Sequence, residues 1–99
     1  MQPTGFLARI LHKGPTQSEF GIAMGALRQY FKHGDIQGIH ALLREDGVSC
    51  SEAVIEKAKY GYYSPLASKI LKATCRYMAE ARGLEVYNIV NQEAAAIAA

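Results

Sequence analysis

Ninety-nine residues form one domain of ordinary size, long enough to bury a core without disulfide or metal staples. Hydrophobic residues make up 49% and charged residues 20%, a globular composition that argues against intrinsic disorder. A formal charge of +2 does not select a partner, so any case for nucleic acid rests on where the basic residues fall.

Phe6, Leu7, Ile10 and Leu11 recur at helical spacing and predict a first helix over about residues 4 to 12, ended by Gly14-Pro15. Thr16 or Ser18 is placed to cap a second helical segment with the stripe Phe20, Met24, Leu27 and Phe31, ended at Gly34. Asp35 is placed as the cap of a third segment carrying Ile36, Ile39, Leu42 and Leu43 on one face, with Gly47 as its stop. Ser49 and Glu52 have the spacing of a capping box for a helix over about 50 to 60, stopped at Gly61.

Ser64-Pro65 reads as a cap followed by proline in the first helical turn, opening a long helix to Arg82. Its stripe is Leu66, Ile70, Ala73, Tyr77 and Ala81, and Gly83 terminates it. The segment Leu84 to Val90 is β-branched enough for a strand, whereas Val86, Val90 and Ile97 fit a helix running into the alanine-rich end. A lone strand has nothing evident to pair with, which favours the helix. The expected fold is all-α: a single compact domain of five or six short helices spanning 1-99.

Within Thr16 to Lys32 the second segment also carries the ingredients of a helix-turn-helix. Gly21 supplies a small residue where two helices would cross, Gly25 supplies a turn, and Phe20, Met24 and Phe31 supply the apolar contacts between the helices. The same stripe continues through Gly25 as it would in one straight amphipathic helix, so both readings stand.

Thr16-Gln17-Ser18-Glu19, Gly25 and Arg28-Gln29-Tyr30 resemble the helix-turn-helix of the Cro and phage-repressor family, with the likeness running over residues 6-35. The resemblance implies a transcriptional regulator that occupies an operator on double-stranded DNA as a homodimer. Arg28 would then bridge the major-groove acceptors of guanine and Gln29 would pair with adenine. Gln17, Lys32 and His33 would contact phosphates.

A second class of function attaches to Tyr60, Tyr62 and Tyr63, crowded into the short loop Tyr60-Gly61-Tyr62-Tyr63-Ser64-Pro65. Tyrosines bracketed in this way suit an anchor on a protein partner or a stacking platform for unpaired bases, and also the plain filling of a helix joint. The chain then reads as a small helical inhibitor or adaptor that docks on a larger protein, or as a subunit of an assembly. Lys57, Lys59, Lys69, Lys72, Arg76 and Arg82 form the densest basic group.

Catalysis finds little material. His12, His33 and His40 are scattered, and Cys50 and Cys75 lie twenty-five residues apart without a metal-site spacing. No metal, cofactor or catalytic residue is assigned, and His40 reads as a half-buried helix residue satisfied by a hydrogen bond. Two reduced thiols, no basic leader at the start and no apolar run near the roughly 18 residues of a membrane span point to a cytoplasmic protein.

Overall fold

The computed structural model describes residues 5-98, and among these it is all helical, with no strand. The elements are α1 (Phe6–Lys13), α2 (Gln17–Arg28), α3 (Asp35–Glu45), α4 (Glu52–Lys59), α5 (Ala67–Glu80) and α6 (Val86–Ala98). The expected start of the first helix at residue 4 lies outside the described residues.

The expected break at Gly25 does not occur: α2 runs without interruption through Met24, Gly25, Ala26 and Leu27. Magnitudes explain the outcome. Each glycine inside a helix costs about 1 kcal/mol relative to alanine. Phe20, Met24 and Leu27 are fully buried on one face of the continuous helix, and each contributes about 1.5–3 kcal/mol. Two glycines cannot offset that face.

Thr16 starts α2 with a complete capping box. Its hydroxyl accepts from the Glu19 amide, and the Glu19 carboxylate accepts from the Thr16 amide. That backbone bond is the largest reason why the Glu19 carboxyl titrates below its usual range, with Lys13 and Arg9 adding to it.

Three other helix starts differ from the sequence reading. Ser51, not Ser49, caps α4, accepting from the Val54 amide at 3.3 Å, in a register that buries Ile55 and Ala58. Gly34 is the residue before α3, and Asp35 is its first helical residue, with the carboxylate turned inward. Ser64 and Pro65 form a turn in which the Ser64 hydroxyl accepts from the Leu66 amide, so α5 begins only at Ala67.

The tail is helical, as the shortage of strand partners favours. Val86 and Val90 are buried, and the Asn91 Oδ1 accepts from the Leu7 amide at 2.8 Å, joining α6 to the open first turn of α1. α2 packs chiefly on α6, and α3 on α5. Ile70, Leu71, Met78, Phe20, Met24 and Leu27 lie at the centre of the shared core.

α3 and α5 approach closely at Gly38. A Cβ on Gly38 would stand 2.1 Å from the Tyr77 ring, so only a hydrogen at that position lets the two helices meet. Above it, Asp35 is 2% exposed and accepts from the Lys32 amide, the Tyr77 hydroxyl and the Arg82 guanidinium. Arg82 also donates to the Tyr30 carbonyl. Arg82 is thereby removed from the basic group in which the sequence places it.

Candidate functional site

The α3–α5 junction positions the site by holding the segment between α2 and α3. With the Lys32 amide bound to Asp35 and the Tyr30 carbonyl bound to Arg82, residues 30–34 have a fixed path beyond the end of α2. This path sets the Phe31 ring against the end of α4, where the Lys59 ammonium lies 5.2 Å from its centroid.

The tyrosine loop is fixed by backbone geometry. α4 ends in a Schellman motif: the Gly61 amide donates to the Ala58 carbonyl and the Tyr62 amide to the Lys57 carbonyl. Gly61 has a φ of 97°, the left-handed conformation this motif requires and side chains resist. The turn throws Tyr60 and Tyr62 outward, 65% and 53% exposed.

Cations lie against both rings. The Arg28 guanidinium is 5.2 Å and the Lys59 ammonium 5.5 Å from the Tyr60 centroid, and the Lys57 ammonium is 5.9 Å from that of Tyr62. Each such contact on an exposed ring contributes about 0.5–1 kcal/mol, enough to bias a rotamer but not to hold a fold. Arg28 also reaches the Lys59 carbonyl at 3.5 Å.

Tyr63 belongs to a different environment. Its hydroxyl donates to the Pro15 carbonyl at 2.6 Å and its ring tilts against Phe20 at 5.8 Å. Of the three tyrosines, it is the one tied back to the fold, though 41% of it remains exposed, while Tyr60 and Tyr62 stand further out.

Beside the tyrosines runs a groove of about 560 Å³. Phe31, Lys32, His33, Gly34, Ile36 and Gln37 form one wall, and Glu52, Ala53, Glu56 and Lys59 form the other. Lys59 lies 3.7 Å from the Glu56 carboxylate. In the groove itself two lysines, Lys32 and Lys59, stand against two carboxylates, Glu52 and Glu56; the excess of positive charge lies at the tyrosine end, where Arg28, Lys57 and Lys59 gather on the rings.

Arg28, Lys32 and His33, selected from the sequence for DNA, thus share one surface with Tyr60 and Tyr62, selected for a protein partner. Two residues stand apart. Gln17 opens α2 and Arg28 closes it, about 16 Å away at 1.5 Å per residue. Gln29 is exposed, but its amide donates to the Ala26 carbonyl and finishes its own helix.

Phe31, Lys57 and Lys59 complete the surface and were not singled out as site residues. The signal available was the interleaving in Lys57-Ala58-Lys59-Tyr60-Gly61-Tyr62, which puts a basic side chain within reach of each outward ring. Lys69, Lys72 and Arg76 lie exposed on α5, separate from this group.

The surface carries cations, hydrogen-bond donors, aromatic faces and the two carboxylates Glu52 and Glu56, and the thiols lie elsewhere. Burial raises the Cys50 thiol above its usual range and pushes Cys75 up to about 12, so neither presents a thiolate at neutral pH. His40 is half-buried, with its Nε2 hydrogen-bonded to the Cys50 carbonyl at 2.8 Å, as its sequence context suggests.

Among the described residues, no helix is long and apolar enough to cross a membrane. No protein-family model, curated protein or solved structure matches this chain.

Proposed function

We propose that this protein is a small helical interaction module that docks on a larger protein through the surface formed by Arg28, Phe31, Lys57, Lys59, Tyr60 and Tyr62, and that it acts without chemistry of its own. The observation that carries this reading is the pair Tyr60 and Tyr62, large apolar side chains held out on a rigid Schellman turn instead of folded into the core. Tyrosine and arginine are the residue types that most often dominate a protein interface. Rings already restrained by neighbouring cations lose little rotamer freedom on contact, which lowers the entropic cost of association.

The competing reading, an operator-binding regulator using Arg28, Gln29, Lys32 and His33, lacks the two-helix unit on which its base contacts were assigned, because α2 is continuous. The test compares wild type with Tyr60→Ala and Tyr62→Ala by cross-linking in the source cells and by titration with duplex DNA. A protein species cross-linked to wild type should be lost or weakened about 30-fold in each variant, equivalent to the roughly 2 kcal/mol of a hot spot. Sequence-dependent binding to duplex DNA that survives both substitutions would replace this reading with the regulator.

A further inference from the structure

We infer that the ligand of this surface is a short acidic segment of a partner protein carrying an apolar side chain, seated in the groove between the α2–α3 segment and α4. The inference rests on the interaction-module reading and adds the chemistry of what is bound.

The groove follows α4, whose eight residues from Glu52 to Lys59 span about 10 Å at 1.5 Å per residue. Extended chain advances about 3.3 Å per residue, so roughly three residues of a partner fit along it. Phe31, Ile36 and Ala53 give the walls apolar area among the polar side chains of Lys32, His33, Gln37, Glu52, Glu56 and Lys59. An apolar side chain placed there gains the burial that a purely acidic strand would not.

Charge is distributed unevenly along α4. Glu52 lies in its first turn, while Lys57 and Lys59 lie in its last, next to Arg28 and the two outward tyrosines. Lys32 faces the same groove from the other wall. A carboxylate following the apolar residue would therefore meet Lys59 at that end of the groove, with Arg28, Lys57 and the rings of Tyr60 and Tyr62 just beyond it.

The test is fluorescence anisotropy of the full chain with labelled probes: a short peptide combining Glu and Leu, the same peptide with Ser for Leu, the same with Lys for Glu, and an oligothymidylate. The Glu/Leu peptide should bind most tightly and weaken with added salt. Lys57→Glu and Lys59→Glu should each weaken it at least about tenfold, and Ala53→Gln, which narrows the groove without changing charge, should weaken it as well. Lys57 is exposed, so its variant keeps the comparison valid if Lys59→Glu disturbs the packing on Phe31.

The inference is overturned if no peptide binds, if the Ser or Lys peptide binds as well as the Glu/Leu peptide, if the oligothymidylate binds more tightly, or if both charge reversals leave the affinity unchanged. A tyrosine-dependent protein cross-link alongside any of these outcomes would leave the interaction module standing and reject only the acidic segment.

Discussion

Two regions of this molecule use the same residue types to opposite ends. At the α3–α5 junction an arginine and a tyrosine, Arg82 and Tyr77, meet Asp35, and every polar group involved has a partner in the protein. At the end of α4 another arginine and tyrosine, Arg28 and Tyr60, meet each other and open onto solvent. Burial of a counter-charge makes the first pair part of the fold, and its absence leaves the second pair available. The two are also connected, since Arg82 and Asp35 hold the segment that carries Phe31 and Lys32 to the surface.

The largest expected effect comes from breaking the buried side. Asp35→Ala leaves the Arg82 charge, the Tyr77 hydroxyl and the Lys32 amide without their acceptor, and should cost about 3 kcal/mol in urea unfolding. A loss below about 1 kcal/mol would mean that solvent replaces the carboxylate and that the junction is no more structural than the surface. Gly38→Ala should come next. Its methyl group must displace the Tyr77 ring, which cannot move without giving up its 3.2 Å hydrogen bond to Asp35. The expected cost is about 1–3 kcal/mol. The same ring titrates above the usual phenol range because of burial and then the Asp35 bond, so a spectrophotometric titration should show Tyr77 ionising after the exposed tyrosines.

Gly25→Ala should act in the other direction. A Cβ at Gly25 meets no atom within 4 Å, and the position lies inside a regular helix. Stability should rise by about 0.5–1 kcal/mol. A clear destabilisation would show that α2 bends there in solution, restoring the turn expected of a helix-turn-helix.

Acid should produce the smallest effect. The Glu19 carboxyl has a lowered value in the folded chain, so its contribution is complete above the ordinary carboxylate range and disappears as pH falls through the folded value. Glu19→Gln should therefore be less stable than wild type at neutral pH and should converge with it in acid. A difference that persists unchanged at low pH would assign the effect to packing instead of the capping box.

What could be read from the sequence follows the range of the interactions involved. Gly14-Pro15, the Thr16 box and the periodic stripes are local signals, and they located the helices to within a few residues except at the end of α2, which stops at Arg28, before the Phe31 of its expected stripe and six residues short of the expected stop at Gly34. The α2 interior was ambiguous because a helix-turn-helix and a straight helix place Phe20, Met24 and Leu27 on the same stripe. Only the amount of burial distinguishes them. Asp35 looked like a cap because its inward partner Arg82 lies 47 residues away and leaves no trace in the spacing. The surface itself was legible in halves, residues 28–33 and 60–63, and the contacts that join them, Arg28 on Tyr60 and Lys59 on both Phe31 and Tyr60, cross the gap between two helices.

The central claim is that Tyr60 and Tyr62 are held outward for a partner and contribute little to the fold. Its most direct test is the Tyr60→Ala/Tyr62→Ala double variant, with thermal unfolding and partner cross-linking measured on the same preparation. The account predicts a loss of no more than about 1.5–3 kcal/mol, the sum of the three exposed cation–ring contacts, together with loss of the cross-linked partner. A loss of stability clearly above that sum, or a cross-linked partner retained by the folded double variant, would contradict it.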